Sequence, residues 1–398
     1  MKSTEPSIPP DRRKGRPTVV QVLPALETGG VEQGTVDVAA ALVKAGWRAV
    51  VASAGGAMVP ALREAGAEHV TLPLAAKNPV TLLANAGRLA RLLRDTGADL
   101  VHARSRAPAW SALLAARRTG TPLVTTYHGT YNRAPRFLKD PYNGVMGRGE
   151  RVIAISGFIA AHVRAVHGVP ATRLRTVPRG IDTAAFDPQA ITPGRLERVA
   201  DDWPVGPRTP VVLLPGRLTR WKGQMVLVEA MARLRHPDAV AVLAGGAQGR
   251  DAYVAELAER IAALGLDGRV VVDTACRDLP AAYARSAVAV SASTDPEAFG
   301  RVPVEAQAME RPVIATNHGG AAETVADGAT GWLVPPGDAD ALAAALDHAL
   351  ALDAGARATL GRAGRDRVLL RYTREAMTAA VLEVYSELLP RDATAEAA

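Results

Sequence analysis

From Thr18 onward, short β-branched runs alternate with Ala/Leu-rich segments of helical period, and the whole rhythm occurs twice. Alternation of this kind builds a parallel sheet with crossover helices on its faces. In the first half the predicted strands are 18–23, 48–53, 69–74, 100–104, 123–128 and 151–155. Predicted helices include Val31 to Ala45, with Gly46 just past its end, and Pro79 to Asp95, which opens on proline and stops before Gly97. Proline fits the first helical position and glycine the position after the last. The rhythm pauses between Thr183 and Pro210, where Pro188, Pro193, Pro204, Pro207 and Pro210 fall among charged residues. An inter-domain linker is therefore expected over 191–210.

Strands then resume at 211–214, 239–243, 269–272, 287–291, 312–316 and 332–334, with helices starting near Lys222, Asp251, Gly300, Ala321 and Asp338. A second doubly wound domain follows. No short-period repeat points to a solenoid. The expected organisation is a disordered basic tail over 1–17, a first domain over 18–190 and a second over 211–371. The chain has 398 residues, enough for two to three domains of ordinary size. Ala354 to Arg371 and Thr373 to Leu389 read as consecutive helices with no strand between them. The terminal helix, within 372–390, either caps the second sheet or packs back across the domain junction.

Composition narrows the setting. One cysteine, Cys276, permits no internal disulfide and no cysteine-based zinc cluster, which fits a reducing compartment. Met1 to Pro17 lacks the apolar core of a secretory signal, and no run of about 18 apolar residues occurs, so a cytoplasmic, non-spanning protein is expected. The net charge of +7 is uneven. Residues 1–200 hold 27 Lys/Arg against 14 Asp/Glu, or +13; residues 201–398 hold 20 against 26, or −6. The basic half suits an anionic partner, although an Arg-rich solvated surface would give the same count.

Ligands of open α/β sheets bind beyond the carboxyl ends of the strands. The first strand runs into Gly29 and Gly30 at a helix start, where backbone amides can approach an anion; a plain tight turn would look the same. Past the strand at 211–214, Arg217 and Lys222 flank a glycine-bearing turn and could clamp a diphosphate. Glu297, in the loop Asp295-Pro296-Glu297-Ala298-Phe299-Gly300, and Glu305, in the following helix, could accept hydrogen bonds from ligand hydroxyls. Taken alone, they read as a helix-start carboxylate and a surface glutamate. His318-Gly319-Gly320 again places glycines before a helix, and His128 ends a first-half strand. Arg104 and Arg106, in the segment opening with His102, and Arg133 and Arg136 beyond His128, could meet an anionic acceptor or form internal salt bridges.

Together, Gly29-Gly30-Val31-Glu32, His128-Gly129, Pro215-Gly216-Arg217 with Lys222-Gly223, the stretch from Pro296 to Ala306, and Gly319-Gly320-Ala321-Ala322-Glu323 resemble glycosyltransferase family 4 in order and spacing, over roughly 18–389. The resemblance implies a GT-B fold, α/β, with two Rossmann-like doubly wound domains facing across a cleft and a last helix crossing back to the first. It implies a retaining, metal-independent transferase moving a hexose-type sugar from a nucleotide diphosphate sugar to a glycan or lipid-linked acceptor, as in lipopolysaccharide or other cell-surface polysaccharide synthesis. Arg217 and Lys222 would hold the donor diphosphate, Glu305 the ribose, and Glu297 with the amides after His318 the donor sugar. Phe299 and Gly300 would belong to the same donor-binding turn. Gly29 and Gly30 would bring a first-domain amide to the diphosphate, and His128 would lie near the reacting centre. His128 and Glu297 are thus the expected catalytic residues.

No bound cofactor and no metal are expected; the donor is a co-substrate, UDP-sugar first, with GDP- and ADP-sugars as alternatives. Retention by double displacement would need a nucleophilic carboxylate about 5 Å from its acid/base partner. None can be placed, so same-face substitution is expected, the leaving phosphate helping to deprotonate the attacking hydroxyl. Anionic membrane contact at the cytoplasmic face of the inner membrane is a further expectation, and nucleic acid is not an expected partner. The rival readings are a non-hydrolysing sugar-nucleotide epimerase, a non-catalytic sugar-binding protein, and an NAD-dependent dehydrogenase, which the missing G-x-G-x-x-G disfavours.

Overall fold

The computed structural model describes residues 16–76, 78–131, 136–201 and 203–389, the side chains of 136–138 excepted. Most of the expected basic tail lies outside them. The chain divides into two compact units, Met1–Val177 with Met377–Ala398, and Pro178–Ala376.

The first unit carries strands β1 (Thr18–Val22), β2 (Arg48–Ser53), β3 (Glu68–Thr71), β4 (Leu100–Ala103), β5 (Leu123–Tyr127), β6 (Arg151–Ala154) and β7 (Leu174–Thr176). They form one parallel sheet in the order β3-β2-β1-β4-β5-β6-β7. Its helices are α1 (Gly30–Lys44), α2 (Val59–Glu64), α3 (Pro79–Thr96), α4 (Arg106–Thr119), α5 (Arg136–Gly144) and α6 (Gly157–His167). Strand β7 was not expected, because Leu-Arg-Thr offers three residues and no apolar run. Helix α3 shows why the helices begin and end where they do. The Asn78 side chain accepts from the Thr81 amide at 2.8 Å, Pro79 fills the first position, and Gly97 closes the helix at φ 61°.

The second unit opens with α7 (Pro193–Ala200), followed by β8 (Val211–Pro215), α8 (Gln224–Arg233), β9 (Val240–Ala244), α9 (Asp251–Ala263), β10 (Val270–Asp273), α10 (Leu279–Arg285), β11 (Val288–Ser291), α11 (Arg301–Ala308), β12 (Val313–Thr316), α12 (Ala321–Thr324), β13 (Gly331–Val334), α13 (Ala339–Ala351) and α14 (Ala354–Arg371), and it contains the first residues of a last helix, α15 (Arg374–Ser386). Its parallel sheet runs β10-β9-β8-β11-β12-β13. Apolar clusters cover both faces, with Leu214, Leu227 and Leu346 on one and Leu213, Tyr283 and Met309 on the other.

The stretch 191–210 is not a free linker. Pro193 starts α7 behind Thr192, Arg195 pairs with Asp278 at 2.7 Å, and the buried Trp203 donates from Nε1 to Asp273 at 3.0 Å. Pro193 initiates a helix, and the division falls between Val177 and Pro178. The leftover terminal helix takes the second of its two expected courses. From Met377 onward α15 belongs to the first unit, where Val381, Val384 and Tyr385 join Val19, Leu23 and Leu42 in the core. Just past α15, Glu387 pairs with Arg151 at 2.6 Å and Arg175 at 2.7 Å, which holds its carboxyl down at about 2. Among the described residues no helix is long and apolar enough to cross a membrane.

Candidate active site

Each sheet reverses direction once, between β1 and β4 in the first unit and between β8 and β11 in the second. A crevice opens beyond the strand ends at such a switch point, because the two connections leave in opposite directions. Most of the sequence-predicted residues fall at these two places.

In the second unit, the loop after β8 turns at Gly216, φ 145°, and then tightens into a single 3-10 turn at Arg220–Lys222. Gly223, φ 73°, ends that turn and caps α8, which begins at Gln224, two residues beyond the start expected near Lys222. A β-carbon at Gly223 would collide with the Ala292 carbonyl, so only glycine lets this loop lie against the one after β11. The result is an ion pair across the switch point. Lys222 Nζ lies 2.8 Å from Glu297 Oε1, with the two side chains only 13% and 11% exposed. Ser293 Oγ donates to the same oxygen at 2.5 Å. The Lys222 ammonium also sits 4.5 Å from the centre of the Trp221 ring. Arg217 is exposed, its guanidinium has no partner among the described residues, and its carbonyl accepts from the buried Gln224 at 3.0 Å. One cation is thus held and the other is available to an anion.

The turn after β12 is pressed against the same loop. Gly319, φ 62°, would bring a β-carbon to 2.6 Å from the Glu297 carbonyl oxygen, and Gly320 to 2.6 Å from that of Ala298. Gly300, φ 85°, would bring one to 2.7 Å from the Ala321 Cα. Of the amides expected to hold a sugar, that of His318 donates to Thr316 at 2.8 Å and that of Gly320 to Glu297 at 2.7 Å. Gly319 is the one with no such bond among the described residues. Gly320 therefore shapes the turn and offers no free donor.

Two further expectations change. The Phe299 ring is buried against Tyr372 at 5.7 Å between centroids, so it packs the interior of the unit. Glu305 lies on α11, 5% exposed, accepting from Arg301 Nη2 at 2.8 Å and from the Tyr283 hydroxyl at 3.1 Å. Burial pushes its carboxyl up, with Arg301, Tyr283 and Lys222 opposing. Ser293, Trp221, Gln224, Tyr283 and Arg301 were not singled out from the sequence. Serine and glutamine carry no spacing signal, and Arg301 reads as an ordinary exposed helix residue until its i,i+4 carboxylate proves buried.

In the first unit, Gly29 and Gly30 do open α1, and the Glu32 carboxylate folds back over Gly29. His128 follows β5, half-buried. The acceptor residues fare unequally. Arg104 is not a surface clamp: it is 5% exposed, bonded through Nη1 to Gln21 at 3.1 Å, and burial lowers its pKa. His102, two residues back on the same strand face, is fully buried between the Tyr385 hydroxyl (2.5 Å to Nδ1) and Thr126 Oγ1 (2.7 Å to Nε2). Burial, with the Arg104 charge beside it, holds this imidazole well below its usual range and therefore neutral. Arg106 is half-buried, stacked 4.2 Å over the Tyr131 ring and bonded to Asn143 at 2.9 Å. Arg136 begins α5, and Arg133 lies outside the described residues.

Known proteins match the chain along both of its units. The family model described as Glycosyltransferase Family 4 matches residues 28–185, and that described as Glycosyl transferases group 1 matches 198–367. The chain is 33% identical over 310 residues to the D-inositol 3-phosphate glycosyltransferase of Xylanimonas cellulosilytica, covering 74% of this chain and 73% of that one. A glycosyltransferase from Rickettsia africae superposes with a TM-score of 0.88 at 36% identity, over 95% of this chain and 100% of that one. Anabaena HepE, solved in complex with UDP and glucose, superposes with a TM-score of 0.79 at 25% identity, over 94% of this chain and 100% of that one.

Proposed function

The chain belongs to glycosyltransferase family 4 and has its GT-B fold, and from that premise we propose that it transfers a hexose-type sugar, with retention, from a nucleoside diphosphate sugar held by the second unit. The observation that carries this reading is the Lys222–Glu297 pair at the β8/β11 switch point, with the exposed Arg217 beside it. A diphosphate brings negative charge that Arg217 binds as a fork, while Lys222 can shift from Glu297 to phosphate oxygens. Glu297, released from the ammonium but still held by Ser293, then accepts from sugar hydroxyls.

The chemistry follows from charge. As the glycosidic C–O bond breaks, the departing nucleoside diphosphate gains negative charge, which fixed cations stabilise more than they stabilise the ground state. Arg217 and Lys222 fill the role a divalent ion plays elsewhere, so transfer needs no metal and no bound cofactor. The leaving phosphate, on the face the acceptor approaches, takes up the proton of the attacking hydroxyl, which gives retention by same-face substitution. Because HepE was solved with UDP and glucose, a UDP-sugar is the first donor to test. GDP- and ADP-sugars follow.

For the acceptor we propose an anionic glycan or lipid-linked glycan bound by the first unit near His128 and Arg106. The surplus of 27 basic over 14 acidic residues in 1–200 supports that, as does the relative named for D-inositol 3-phosphate. The same surplus supports contact with anionic lipid headgroups and a place on the cytoplasmic face of a membrane. The test is a thermal-shift screen of UDP-, GDP- and ADP-sugars, then transfer to membrane extracts with and without EDTA, reading the product's anomeric configuration by NMR. Stabilisation by one nucleotide sugar, retention, and indifference to EDTA are expected. An inverted product or an abolished rate in EDTA would contradict the mechanism.

A further inference from the structure

The His318 side chain has a chemistry that the donor reading leaves unused. Its Nε2 lies 2.8 Å from the Ser293 carbonyl oxygen. A carbonyl can only accept, so Nε2 carries a proton, and in this tautomer of the imidazole Nδ1 is an acceptor. Among the described residues Nδ1 has no partner, and the residue is partly exposed. The same carbonyl accepts from Thr316 Oγ1 at 3.0 Å, while Ser293 Oγ holds Glu297 Oε1. Ser293 therefore fixes the imidazole with its backbone and the carboxylate with its side chain. The spacing between the two acceptors is set at one residue, and Gly319 and Gly320 hold the backbone just after His318 against the loop that carries Glu297.

We propose that His318 Nδ1 is a specificity-determining acceptor that takes a hydrogen bond from one hydroxyl of the donor sugar, while Glu297 takes another. This rests on the donor reading above. Two acceptors at fixed spacing demand two hydroxyl protons at matching spacing. A sugar lacking one of those hydroxyls leaves an acceptor desolvated and unpaired, which is how such sites discriminate.

The experiment measures binding of UDP, UDP-glucose and the 2-, 3-, 4- and 6-deoxy analogues of UDP-glucose to the wild type, His318→Gln and His318→Asn. The glutamine amide can still donate to Ser293 but puts no acceptor where Nδ1 stands, whereas the asparagine oxygen can take that place. His318→Gln should weaken UDP-glucose by about threefold to tenfold, the worth of one neutral hydrogen bond, with UDP unchanged. One deoxy analogue should bind the wild type and His318→Gln equally, and His318→Asn should regain part of the loss. The inference is overturned if UDP and UDP-glucose weaken together in His318→Gln, or if all four analogues keep the wild-type preference. If the wild type binds neither UDP nor UDP-glucose, the same series is run with GDP- and ADP-glucose, and when none of the three binds, the donor reading falls and the inference with it.

Discussion

The two units have the same strand order around their switch points, yet their candidate loops are built differently. In the second, glycines at 223, 300, 319 and 320 let backbone press on backbone, and the side chains between them are tied by Lys222, Glu297, Ser293 and His318. In the first, among the described residues, Gly56 alone presses on the loop after β1, where a β-carbon would meet the Leu26 backbone; at Gly29 it would meet only the Glu32 side chain, and at Gly129 nothing within 4 Å. Its polar order lies deeper, in the fully buried Tyr385–His102–Thr126 chain. Backbone contact in the second unit thus keeps the side chains of Lys222, Glu297 and His318 in fixed relation, whereas the loops at Gly29 and Gly129 leave room for a larger side chain.

That contrast can be broken by substitution. Gly223→Ala combines a positive φ with a backbone collision and should lower stability by about 2–4 kcal/mol, whereas Gly129→Ala should stay within about 0.5 kcal/mol. Urea unfolding of the pair decides, and equal losses would remove the distinction. Tyr385→Phe leaves the buried His102 Nδ1 without its partner and should cost about 1–2 kcal/mol, with UDP affinity untouched because the chain lies wholly in the first unit. Ser293→Ala should do the reverse, lowering UDP-glucose affinity about threefold to tenfold through Glu297 while leaving the melting temperature nearly constant. The smallest effect concerns Glu387. Its carboxyl is depressed to about 2 from 4.5, so its stabilisation is complete above pH 4.5 and lost as pH falls toward 2. Being near the surface it should contribute about 1 kcal/mol or less, seen as a shallower acid limb in Glu387→Gln.

Most of the architecture is written locally. Strand and helix positions follow from period and from punctuation such as Asn78-Pro79 and Gly97. The second-unit motifs are legible because glycine records a backbone approach that no other residue permits. What the chain conceals is which polar groups turn inward. Strand alternation puts His102 and Arg104 on one face, but only α15, returning from 283 residues away with Tyr385, makes that face a buried one. The burial of Phe299 and Glu305 is hidden for the same reason, since Tyr372, Tyr283 and Arg301 come to them through packing. The prolines of 191–210 suggested a linker because Pro at a helix start and Pro in a coil look alike until Trp203 finds its buried place.

The central claim is that Arg217 and Lys222 of the second unit hold the donor's diphosphate. Titration of UDP and uridine into the wild type, Arg217→Ala and Lys222→Ala by calorimetry tests it most directly. Each substitution should weaken UDP by roughly 10- to 100-fold, the worth of a charge-assisted hydrogen bond, and leave uridine unchanged. Wild-type affinity for UDP in both variants would contradict the account.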